Sequence, residues 1–94
     1  MDRASNVDLA ARIKSIMIRV LDLDIPPERL DEKVSLYSPT VGMDSLSLLH
    51  TLVEIEKEFD IEIDDEDVML AELRNVGSLV DMISGIIDAE GGKP

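Results

Sequence analysis

At 94 residues the chain has room for one domain. It is 45% hydrophobic but holds one Tyr, one Phe and no Trp, so its core must be aliphatic. Nine Lys and Arg against 21 Asp and Glu give a net charge of −12, which argues against nucleic acid and anionic membrane surfaces and favours docking on basic patches of other proteins.

The absence of cysteine excludes disulfides and thiolate metal sites, and any thiol chemistry would require an attached group. Asp8, Arg12, Lys14 and Arg19 interrupt the early apolar residues, so no signal peptide is read there. No run approaches the roughly 20 apolar residues that span a bilayer. The expected protein is a cytoplasmic monomer, with a core of about residues 6–88 and flexible tails at 1–5 and 89–94.

Asn6 is the expected cap of a first helix, on which Val7, Ala10, Ile13, Met17, Val20 and Leu21 recur at helical spacing. The helix should stop near Leu23, because Pro26-Pro27 bias Ile25 out of the α region. From Asp24 to Met43 no periodicity is sustained. A loop this long needs anchors; Leu30, Val34 and Leu36 are the candidates, with a short helical turn at Pro27–Leu30.

Asp44 is a good N-cap residue, which sets Ser45 in the first turn of a second helix running to about Glu58. A hydroxyl there is exposed, beside unpaired backbone N–H groups and the positive end of the helix dipole, a place suited to a phosphate ester. The plainer alternative is that Asp44-Ser45 does no more than start a helix. At about 100° per residue, Leu48, Leu52, Ile55 and Phe59 form a core stripe. Leu46, Leu49 and Val53 form a second cluster about 120° further round by the same rotation. Glu56 projects between them, so the second cluster is expected to be partly exposed. His50 lies about 140° round the helix from Ser45, poorly placed to act as its base.

Asp60-Ile61-Glu62-Ile63 alternates like a strand, but with no second strand to pair it reads as an extended loop. Between Glu54 and Glu72 ten acids face one base, Lys57. A calcium-loop reading of Asp60, Glu62 and Asp64 fails, because Asp65 stands where Gly is needed and Ala71 where a bidentate Glu is needed. Weak, loose divalent binding is compatible with the patch; a dedicated site is not. Asp65 to Leu70 or Leu73 can form a short third helix. Asn75-Val76-Gly77 breaks it, and Ser78, with Asp81 as reciprocal partner, is the expected cap of a fourth helix built on Leu79, Met82, Ile83, Ile86 and Ile87. The expected fold is therefore all-α, a small four-helix bundle with a long first loop and a short third helix.

Asp44-Ser45-Leu46, the unbroken amphipathic helix after it, and the run from Glu58 to Asp67 together resemble the acyl carrier protein family, whose signature is a D-S-L serine carrying 4'-phosphopantetheine. The resemblance extends from about Val7 to Ile87. It implies a carrier rather than an enzyme. A phosphopantetheinyl transferase would load Ser45 from coenzyme A, and acyl groups would be held as thioesters on the arm. The implied partners are acyl-loading, condensing or acyl-transferring enzymes with basic docking patches, in fatty acid, polyketide or other lipid-related biosynthesis. Asp44, Leu46, Leu49, Val53, Glu56 and Glu58 are the implied partner-binding residues. The chain departs from fatty-acid-synthesis carriers at Ser47 and His50, where acids are usual, and at Thr40 and Val41 of the run before the serine. These departures suggest a specialised carrier, while Asp44 favours acyl over peptidyl or aminoacyl cargo. The alternative of another class is an unmodified acidic interaction module; a calcium sensor fits worse.

Overall fold

A computed structural model describes residues 4–91, with side chains placed for residues 8–89. Four α-helices form the fold: α1 Ala4–Leu21, α2 Ser45–Phe59, α3 Asp65–Ala71 and α4 Val76–Gly91. One 3-10 turn, Pro27–Arg29, interrupts the long first loop where the paired prolines place it. No strand forms among the described residues; a lone antiparallel bridge joins Ser35 to Asn75.

Helix α1 begins at Ala4, so Asn6 lies inside it and is not its cap. Alanine has the highest helix propensity, and Ser5 and Asn6 can continue a turn that the apolar pattern alone does not reveal. The helix closes when Asp22 turns left-handed (φ 56°) and the Leu23 N–H donates to the Ile18 carbonyl at 3.0 Å. Ala10, Ile13 and Met17 are buried as their spacing predicts, and Leu9 and Ile16 widen the buried face. Helix α4 continues to Gly91, past the expected start of a tail at Ala89. Of the expected tails, residues 1–3 and 92–94 lie outside the described residues.

The core joins α1 to α2 and α4, with α3 packed on α4. Ile55 is fully buried and Leu52 nearly so, with Leu48 and Phe59 packed against the cluster, so the expected stripe of α2 faces inward. Thr51 shares that face and is fully buried, and among the described residues its Oγ1 has no hydrogen-bond partner. A buried unpaired hydroxyl costs about 1–3 kcal/mol. Polarity hid this core position from the apolar count.

The long loop is pinned rather than draped. Leu30 and Leu36 are fully buried, as expected of anchors, Val34 is half-buried, and Val41 and Met43 are two further anchors. The Leu36 N–H donates to the Arg74 carbonyl at 2.9 Å, and its own carbonyl accepts the Met43 N–H at 3.0 Å. One loop residue thus ties the approach to α2 to the approach to α4.

The start of α4 corrects the sequence reading. The cap is Asn75, three residues before Ser78. Its Oδ1 accepts the Ser78 N–H at 2.8 Å, and the Ser78 Oγ accepts the Asn75 N–H at 3.0 Å. Gly77 reads as a breaker in isolation, yet here it lies inside the helix because the loop crosses it. An added Cβ would sit 3.2 Å from the Glu32 carbonyl oxygen, a tight contact that would push the loop back by a few tenths of an ångström. The loop repays the helix with acceptors: Val76 N–H donates to the Val34 carbonyl at 3.0 Å and Gly77 N–H to that of Glu32 at 2.8 Å.

Candidate functional site

The loop delivers Ser45 to the surface by a short sequence of fixed turns. Buried Val41 and Met43 flank Gly42, whose φ of +64° is the left-handed conformation that glycine adopts at least cost. The Gly42 N–H closes the turn on the Ser38 carbonyl at 2.6 Å. Asp44 then leaves the core in extended conformation and caps α2, its Oδ1 accepting the Ser47 N–H at 2.8 Å. The Ser47 N–H, and after it the Ser47 hydroxyl, hold the Asp44 carboxyl below its ordinary value of 3.8. Asp44 is therefore an anion at neutral pH.

Ser45 is the first residue of the helix and is exposed. Among the described residues its hydroxyl makes no hydrogen bond and no acceptor takes the Ser45 N–H, while the Leu46 N–H faces the Asp44 carboxylate. That unpaired donor and the helix dipole suit an anion bonded to the Ser45 oxygen. Among the described residues no base touches that oxygen. His50 is turned away, its Nε2 lying 3.8 Å from Glu54 Oε2.

Leu46, Leu49 and Val53 are 76%, 59% and 38% exposed, an apolar strip that opens progressively toward Ser45. The structure therefore brings Asp44, Ser45, Leu46, Leu49 and Val53 together on one open face. The two acids further along are engaged within the chain. Glu56 Oε2 accepts the Ile63 N–H at 2.7 Å, which also explains how a half-buried carboxylate is satisfied between two apolar clusters. Glu58 Oε2 meets Arg12 Nη2 at 2.7 Å, and the Arg12 guanidinium lies 4.5 Å from the centre of the Phe59 ring. Arg19 reaches Glu54 at 3.4 Å and Lys57 reaches it at 3.6 Å.

The apolar spacing of α1 does not reveal the contribution of Arg12 and Arg19. A signal was present: the two arginines are seven residues apart, hence on one face of α1, and Glu54 and Glu58 are four apart on one face of α2. Among the described residues no three carboxylate or imidazole groups converge as a metal site, and no helix is long and apolar enough to cross a membrane.

Residues 11–83 match the family described as "Phosphopantetheine attachment site". The acyl carrier protein of Caulobacter vibrioides (strain NA1000 / CB15N) is 36% identical over 77 residues, which cover 82% of this chain and 92% of its own. The acyl carrier protein of Phenylobacterium zucineum is 37% identical over 76 residues, 81% of this chain and 90% of its own. The mitochondrial acyl carrier protein of Saccharomyces cerevisiae is 51% identical over 49 residues, 52% of this chain and 38% of its own.

Proposed function

We propose, from the premise that this chain belongs to the phosphopantetheine-attachment family of acyl carrier proteins, that Ser45 is the residue that bears the arm. The family's function is acyl carriage on a covalent 4'-phosphopantetheine, loaded by a phosphopantetheinyl transferase and used by biosynthetic enzymes. When bound, the arm supplies a terminal thiol on which an acyl group is held as a thioester.

The observation that carries the assignment is the open start of α2: an exposed hydroxyl beside an unclaimed Ser45 N–H at the positive end of the helix dipole. When the Ser45 oxygen bonds the pantetheine-side phosphorus of coenzyme A, it loses its proton, the pyrophosphate bond breaks and adenosine bisphosphate leaves; with His50 turned toward Glu54, the base comes from the transferase. The chain is thus a substrate of loading and not itself a catalyst. Intact mass measured after incubation with coenzyme A and a promiscuous transferase tests the site. Wild type should gain one phosphopantetheinyl group; Ser45→Ala should keep its helical circular dichroism and gain nothing. A loaded Ser45→Ala protein would overturn the assignment.

Leu46, Leu49 and Val53 are the apolar half of the docking face, with Asp44, Glu56 and Glu58 as its charged edge. A carboxylate has about four acceptor positions, so Glu58 can bind a partner's cation while keeping Arg12. The domain works as a single cytoplasmic monomer. Ser47 and His50, in place of acids near the attachment point, mark a specialised carrier, and Asp44 favours acyl over aminoacyl cargo.

A further inference from the structure

Helix α3 has seven residues and α4 has sixteen, so α3 leaves part of the α4 face uncovered. The result is a cleft of about 460 Å³ between them. Met82, Ile86 and Ala89 lie along one stripe of α4 at helical spacing, and Leu70 and Ala71 form the opposite wall. Leu70 is 77% exposed and its neighbour Met69 is 75% exposed. Gly85 widens the floor, since an added Cβ there would meet nothing within 4 Å.

Four carboxylates rim this apolar floor: Glu62, Asp64, Asp67 and Asp81. No Lys or Arg lines the cleft, and among the described residues none of the four is in an ion pair. On α2 the situation is reversed, with Glu54 and Glu58 occupied by arginines of α1. The rim of the α3–α4 cleft thus holds a second group of unpaired carboxylates, separate from Asp44 at the start of α2.

We propose that the α3–α4 cleft is a second docking surface, which receives a basic amphipathic helix of a partner protein. An apolar stripe on such a helix would seat against Leu70, Met82 and Ile86, while flanking Lys or Arg meet the rim, as in other helix-in-groove complexes. Charge complementarity selects this occupant. A second copy of a chain with net charge −12 is repelled. The proposal is independent of the Ser45 assignment, because loading is read separately.

The test uses a fluorescein-labelled helical peptide of leucine and arginine with leucines at i, i+4 and i+7. A peptide of the same composition with scrambled leucines serves as control. Fluorescence anisotropy at 0.15 M salt gives affinity, and amide chemical shifts of the full chain locate the contact. Expected shifts fall on residues 67–71 and 81–89. Gly85→Leu, which fills open space, should weaken binding about tenfold or more, as removal of a central anchor site does. Gly85→Ala should bind like wild type and shows that the position tolerates a side chain. Leu46→Ser should bind the peptide normally. Equal affinity for Gly85→Leu, equal affinity for the scrambled peptide, or shifts confined to residues 46–53 would each overturn the proposal. So would wild-type self-association through the cleft, measured by sedimentation in the absence of peptide.

Discussion

Helices α2 and α4 begin with the same device and put it to opposite uses. Each has an Asx cap, Asp44 or Asn75, whose side-chain oxygen accepts the N–H of a serine three residues on at 2.8 Å. At the first helical position α2 has exposed Ser45 and α4 has fully buried Val76. At the second, Leu46 is 76% exposed, whereas Gly77 lies under the Glu32 carbonyl. The loop supplies Val34 and Glu32 as acceptors to α4 and none to α2. A capped helix start is thus not in itself an anion site; what matters is whether other backbone has already claimed its remaining donors. By that criterion α2 is the open start and α4 the sealed one.

Leu36 offers the strongest way to break the comparison, because it holds both starts in place. Fully buried, it is bonded through its backbone to Arg74 ahead of α4 and to Met43 ahead of α2. Leu36→Ala should cost about 2–5 kcal/mol of stability in urea unfolding, the usual range for a buried leucine. Much of what an unaided domain has would then be gone. A loss below 1 kcal/mol would mean that the loop holds its course without this anchor.

A smaller effect sharpens the comparison at matched positions. Gly77→Val would press a branched side chain into the Glu32 backbone and should cost about 1–3 kcal/mol, as overpacking does. It should leave the loading rate at Ser45 unchanged. Leu46→Val, at the corresponding place on α2, should change stability by no more than about 0.5 kcal/mol, since nothing covers it. Loading and partner turnover should register that change instead. Thermal unfolding and a loading time course on the two variants separate sealed from open. If both substitutions proved equally harmless to stability, the close approach at Gly77 would not matter to the fold.

The two starts also show what a sequence exposes and what it withholds. Asp44-Ser45 was legible because cap, helix period and exposure all follow from local order, and the second apolar cluster was legible because Glu56 could not be buried unpaired. Asn75 was hidden because Gly77 looks like a break until a loop carbonyl from 45 residues earlier is laid over it. Thr51 was hidden because a hydroxyl does not count as core. The pairing of Glu58 with Arg12 joins residues far apart in the chain, and no local period records it. Four helices and the exposed serine at the start of α2 come from short-range pattern; the state of each acid comes from tertiary neighbours.

The smallest expected effect lies in the caps themselves, which differ in one respect: Asp44 titrates and Asn75 does not. The folded state holds the Asp44 carboxyl below its ordinary 3.8, chiefly through the Ser47 N–H. A carboxyl with a depressed folded value binds protons more weakly folded than unfolded, so unfolding is proton-linked. Its contribution is fully present above 3.8 and is lost as pH falls through the lower folded value. Asp44→Asn keeps an N-cap acceptor but carries no charge. The stability difference between wild type and Asp44→Asn should therefore be flat near neutral pH and should shrink as pH drops below 3.8. Because Asp44 is fully exposed, salt should reduce that difference as well. Asn75→Asp on α4 makes the converse test, placing a charged cap where the loop seals the start. Urea unfolding of these variants between neutral and acid pH reads both slopes. A wild-type advantage that grew on acidification would show that Asp44 gains nothing from its bond to Ser47, and the cap would then serve only to stop the loop.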